Sequence, residues 1–265
     1  MASDKKFTVS NVNVNKLYLF LVGSSMNGDQ TIDIKQNMIY CKSANKAKTN
    51  IRYRQMIFDD TTKKSGTIEH LKFFIQNYDM INKVVKHFTN FENIDVVFTY
   101  DPEKGTCSKI TFQNPFVSYD IFASEFGLSE NYILDSSWTN ISKPKEPCVH
   151  IKITSTKIKE IIGLHSLSKS ETEKMNIMTI GSTKDGQVFL KHKSYSNELV
   201  FSFNEDSGLV SNSIKGEWKL SLEVFDKTFG YTDFDFYAVT SEVGLKAIYL
   251  TNGDDIVNIS SLTND

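Results

Sequence analysis

The 265-residue chain writes one order of elements twice, and any fold must accommodate that duplication first. Each half opens on a short amphipathic segment, Val14, Leu17, Tyr18, Leu21 and Val22 in the first and Ile158, Ile161 and Ile162 in the second. Strands and a hairpin follow over 31–58 and again over 176–203. A second helix-like stretch covers 79–88 and recurs at 222–229. Each half then closes on strands, over 94–122 and 233–259. Matching elements lie roughly 140 residues apart. Few residues are identical between the halves, so the repeat is one of pattern.

Strand signals dominate. Ile94–Tyr100 is β-branched and aromatic, and the turn 101–105 leads into Lys109, Ile110, Thr111 and Phe112. Asp185-Gly186 and Asn252-Gly253 each join two apolar runs as a hairpin. Many antiparallel strands with few, short helices predict an α+β fold and exclude a doubly wound nucleotide-binding sheet, which alternates strands with long helices. The boundary falls in 129–148, where Pro144 and Pro147 favour extended, unpaired backbone. The expected domains are 1–140 and 141–265.

Apolar residues make up 40% of the chain, enough for two small cores, and 4 Pro with 13 Gly argue against low complexity. Cys41, Cys107 and Cys148 are odd in number and far apart, as expected of reduced structural thiols in a cytoplasmic setting. No signal peptide is read in the first residues, and the apolar run 17–22 is too short to span a bilayer. The net charge of −2 gives no bulk support for nucleic-acid binding, so any such role must come from where charges are placed.

They are placed on the helices. Over 79–88, Met80, Ile81, Val84, Val85 and Phe88 share one face, and Asn82, Lys83 and Lys86 fall opposite; Asp79 sits in the first turn, where it suits the helix dipole. Around Ile158, Lys159 is on the open side together with Glu160. The first segment exposes Lys16, and 222–229 exposes Lys227 beside Glu223. Each lysine alone reads as solvated surface; four helices sharing a lysine on the outward face of a near-neutral protein are a better signal of placed basic charge.

Catalytic groupings are missing. His70, His87, His150, His165 and His192 are scattered without metal-ligand spacing, so neither a metal nor a cofactor is expected. Asp59-Asp60 and Asp254-Asp255 fall in predicted turns, where Asp is favoured for backbone reasons. No phosphate-cradling glycine loop or nucleophile elbow is present, and the chain reads as a non-enzyme.

In the order of its elements the chain resembles the DNA polymerase sliding clamps, above all those of tailed bacteriophages with two domains per subunit. The resemblance rests on 77–86 with the strand 94–100, on 153–167 with 175–190, and on 225–259. It implies duplicated clamp domains, each with two short helices packed on curved antiparallel sheet. It further implies a homotrimeric ring around duplex DNA, lined by twelve helices, that tethers the polymerase for processive DNA replication in the cytoplasm of the host. Lys16, Lys83, Lys86, Lys159 and Lys227 would face the DNA, and mobile, sequence-independent attraction to phosphates is what sliding requires. Polymerase and clamp loader would insert a short apolar peptide near the linker, where Tyr132, Ile133, Leu134 and Trp138 are candidate pocket residues. Two alternatives stand beside this: a structural β-rich virion or assembly protein, and a monomeric clamp-fold accessory subunit of a polymerase. Lys42, Lys46, Lys48, Arg52, Arg54, Lys63 and Lys64 form a further basic cluster that could rim the hole, contact a partner or be plain surface.

Overall fold

The computed structural model describes residues 4–24, 29–44, 50–124, 132, 147–168, 177–193, 198–213, 217–221, 233–240, 246–252 and 256–262. The chain divides into two compact units, 1–48 with 52–134 and 49–51 with 135–265.

Unit 1 runs β1 (Lys5–Asn13), α1 (Val14–Ser24), β2 (Gln30–Lys35), β3 (Met38–Ala44), β4 (Asn50–Ile57, in this unit from Arg52), β5 (Lys63–Ser65), β6 (His70–Ile75), α2 (Tyr78–His87), β7 (Asn93–Asp101), β8 (Thr106–Gln113) and β9 (Ser118–Phe122). Its strands lie in the order β4-β3-β2-β6-β8-β7-β1-β5, with β9 also paired to β8. The alternation read in the sequence does the sorting. Ile94, Val96 and Phe98 of β7 point inward, and Phe7 of β1 is paired with Phe98 and stacked on it at 5.9 Å. α1 follows β1 without a loop, after a bulge at Asn11, which takes φ 64, a left-handed conformation that Asn tolerates. Leu17, Phe20 and Leu21 of α1 and Ile81, Val84 and Val85 of α2 close the core over the sheet. Burial of each large apolar side chain stabilises by about 2 kcal/mol, which outweighs the weak intrinsic stability of helices this short.

Unit 2 runs β10 (Pro147–Ile153), α3 (Ser155–Ser168), β11 (Ile177–Ser182), β12 (Val188–Lys193), β13 (Glu198–Phe203), a 3₁₀ turn (Glu205–Ser207), β14 (Leu209–Asn212), β15 (Trp218–Ser221), β16 (Phe234–Thr240), β17 (Lys246–Thr251) and β18 (Ile256–Leu262). Two runs of neighbouring strands build it, β14-β10-β16-β17-β18 and β13-β12-β11-β15. Ile151, Ile158, Ile161, Met178, Leu190, Trp218 and Phe236 form its core. Both predicted hairpins are present as β11–β12 and β17–β18, and Gly186 supplies the positive φ of the first. Gly208 has φ 103, and a Cβ there would collide with the carbonyl of Lys152.

The duplication is visible in the pairing itself. β1 leads into α1 and pairs antiparallel with β7, as β10 leads into α3 and pairs antiparallel with β16. The meanders β7-β8-β9 and β16-β17-β18 then repeat. The architecture is the expected α+β one, with short helices on curved antiparallel sheet. The helix predicted over 222–229 lies outside the described residues. No described helix is long and apolar enough to cross a membrane.

Candidate functional site

Helix α2 is the plainest basic surface. Tyr78, Ile81, Val84, Val85 and the capping Phe88 are buried, which forces Asp79, Lys83, Lys86 and His87 outward. Met80 departs from the reading of the periodicity: it is 42% exposed and belongs to the outer face. It flanks the apolar stripe, and the core is filled by Ile81 beside it. Neither Lys83 nor Lys86 has an ion pair among the described residues. Asp79 sits in the first turn and Lys86 in the last, so the charges complement the helix dipole at both ends.

The other helices differ. Lys16 on α1 is exposed, but its Nζ lies 2.7 Å from Asp59 Oδ2. That hydrogen bond is the chief cause holding the Asp59 carboxyl below its ordinary range. Lys159 on α3 is exposed, and the neighbouring Glu160 is paired with Lys157 at 2.9 Å. Lys227 lies outside the described residues, as do Ile133, Leu134 and Trp138.

The second charged assembly was not legible as one. On β2 the residues Ile32 and Ile34 face the core, so Asp33 and Lys35 face away from it. The register sets Asp33 opposite Tyr40 of β3 on one side and Lys72 of β6 on the other. Asp33 is fully buried there, with His70 Nε2 at 2.7 Å and Lys72 Nζ at 3.0 Å, both on Oδ1. The short His70 contact assigns the ring proton to Nε2. Tyr132 joins them: its hydroxyl donates to the same Oδ1 at 3.0 Å and accepts from Lys72 Nζ at 2.6 Å. Two ammonium groups flank its ring, Lys72 at 4.7 Å and Lys42 at 5.3 Å from the centroid. Burial pushes the Asp33 carboxyl up, but His70 and Lys72 outweigh it and hold the group below the usual carboxylate range. Burial also draws the Lys42 ammonium down to about 8.

This corrects the reading of the basic cluster as one surface. Lys42 is 1% and Arg52 4% exposed, so neither can rim an opening or meet a partner directly. Lys63 is exposed on β5, while Lys46 and Lys48 lie outside the described residues. The signal that was available is the alternation of Thr31-Ile32-Asp33-Ile34-Lys35 and of His70-Leu71-Lys72-Phe73, which sets three charged residues and a histidine on the non-core positions of two strands.

Two strand edges complete the surface. β9 has no second partner among the described residues; Tyr119 and Phe122 on it and Phe116 and Val117 in the turn before it are exposed, Phe116 to 83%. β13 likewise ends its strand order and exposes Val200. Open edges with apolar side chains are pairing surfaces. Among the described residues no three His, Cys, Asp or Glu side chains are placed to hold a metal ion. A cavity of about 700 Å³ beside the β1 bulge is lined by Ser10, Asn11, Thr61, Lys63, Asp95 and Asn114 among others.

No family model matches the sequence, and no curated protein does. Solved structures match along its whole length. One is the PCNA of A. fulgidus, solved with the C-terminal region of FEN-1 bound (11% identity, TM-score 0.69, 98% of this chain and 100% of that one). Another is the Proliferating Cellular Nuclear Antigen of Entamoeba histolytica (11% identity, TM-score 0.69, 98% of each chain). A third is a protein assigned as a DNA polymerase III beta subunit from Eubacterium rectale (10% identity, TM-score 0.68, all of this chain and 67% of that one). The chain has the DNA sliding-clamp fold.

Proposed function

We propose that the protein is a non-enzymatic DNA sliding clamp, whose copies close into a ring around duplex DNA and tether a replicative polymerase. The observation that carries this reading is the likeness of the whole chain, both units included, to solved clamps. The halves 1–140 and 141–265 serve as the two clamp domains, and three copies make the ring. Lys83 and Lys86, with Lys159, Lys16 and Lys227, face the DNA. Ammonium groups on flexible stems attract phosphates without fixing register, which permits sliding. Lys16 contributes less than its position alone would give, because Asp59 holds it.

Ring closure pairs β9 of one copy with β13 of the next, covering both open edges and the exposed Phe116, Phe122 and Val200. Polymerase and loader bind by a short apolar peptide near 132–138. A PCNA solved with a FEN-1 segment bound is the precedent among the similar structures. Tyr132 has its hydroxyl committed to Asp33, so a peptide there meets its ring or its neighbours rather than its hydroxyl.

Light scattering on the size-exclusion peak across a concentration series tests the assembly. A discrete species of three copies is the expected result. An open-ended polymer growing with concentration would sink the clamp and favour a structural assembly protein.

A further inference from the structure

Tyr132 lies 99 residues from Asp33 in sequence, yet its hydroxyl ends on that carboxylate. Every group of the socket that receives it belongs to unit 1. Asp33 accepts, Lys72 donates, His70 shares the same oxygen, and the Lys42 and Lys72 ammonium groups flank the ring. Tyr40, with its hydroxyl 3.4 Å from His70 Nε2, walls the site. A phenol suits this set better than any other side chain. Its hydroxyl must both donate to a carboxylate and accept from an ammonium, and its ring must face cations. Phenylalanine meets only the last demand, and serine only the first two.

We propose that the Asp33 socket is a docking site for a tyrosine hydroxyl, occupied in cis by Tyr132, which latches the chain leaving unit 1 onto the face of its sheet turned away from the core. The latch is releasable by construction. Asp33 keeps His70 and Lys72 when the phenol departs, so opening leaves the buried carboxylate paired and costs the two charge-assisted hydrogen bonds of the hydroxyl, to Asp33 and from Lys72, with its ring contacts. On the clamp reading, partner peptides are seated along this same segment, and the latch sets how far the segment can yield to them. That consequence rests on the clamp reading; the latch itself does not.

Hydrogen exchange on the full chain tests it, comparing the native protein with Tyr132→Phe and Tyr132→Ala. In Tyr132→Phe, peptides flanking residue 132 exchange roughly tenfold or more faster, the effect of losing the charge-assisted hydrogen bonds of the hydroxyl, and approach the Tyr132→Ala rate. Peptides from β2 and β6 keep their native rates. Native-like exchange in Tyr132→Phe overturns the proposal, because the hydroxyl then holds nothing. Faster exchange spread equally over β2 and β6 also overturns it, since the hydroxyl would then support the sheet rather than retain the segment.

Discussion

Two faces of unit 1 carry lysines and use them in opposite ways. On α2, Lys83 and Lys86 stand in solvent with no ion pair among the described residues. On the sheet, Lys72 and His70 close on the buried Asp33 while Lys42 is withdrawn from solvent beside them. The first face projects a field outward; the second spends its charge inside. The number of lysines on a surface therefore does not decide whether it binds a polyanion. What decides is whether the fold brings a carboxylate within reach, and α1 shows the intermediate case, with Lys16 exposed but held by Asp59.

The largest effect that sharpens the contrast is removal of the hub. Asp33→Ala leaves Lys72 and His70 facing each other without their anion and costs about 3 kcal/mol of stability, read from urea midpoints. Because the folded carboxyl lies below its ordinary value, its contribution is present at neutral pH and is lost as pH falls through the folded pKa, below the model-peptide 3.8. The acid limb of the native stability curve should then flatten in Asp33→Ala. An unchanged limb would mean that Asp33 is not the group that titrates.

Charge reversal on α2 is the converse test. Lys83→Glu with Lys86→Glu changes stability by less than about 0.5 kcal/mol, since both side chains are exposed. DNA retention weakens about tenfold or more, and the salt dependence of binding becomes shallower by about two phosphate contacts. Unaltered retention would remove α2 from the DNA-facing surface.

Lys42→Met probes the withdrawn charge. With its folded value near 8 against 10.5 unfolded, the native state disfavours the ammonium, a penalty present below pH 8 that fades as pH rises toward 10.5. Lys42→Met therefore stabilises by about 1 kcal/mol at pH 7 and by nothing near pH 10.5. A gain independent of pH would point to packing instead.

The smallest effect is at the intermediate site. Asp59→Asn releases Lys16 with a stability change within about 0.5 kcal/mol. DNA affinity rises a few-fold at low salt, and the difference vanishes at high salt. If affinity does not respond, Lys16 contributes nothing to the field whether paired or not.

The sequence by itself determined what depends on neighbours along the chain. Period-two runs such as Ile94–Tyr100 became strands, the Asp185-Gly186 turn became a hairpin, and the apolar stripe of α2 turned Lys83 and Lys86 outward, because side-chain direction follows from local geometry. The duplicated order was equally readable, since it is a property of succession. Met80 marks the edge of this kind of legibility: a residue flanking a stripe is assigned by the space available in the core, which local spacing does not give. Only the tertiary structure decided the fate of the charges on the sheet. Asp33 meets Lys72 because β2 pairs with β6, which lies beyond three intervening strands in sequence, and it meets Tyr132 across 99 residues. The alternation says that such residues share the face turned from the core. Whether that face is covered, and whether each cation meets its anion there, is set by strand order and register, and these are fixed by burying the opposite, apolar face.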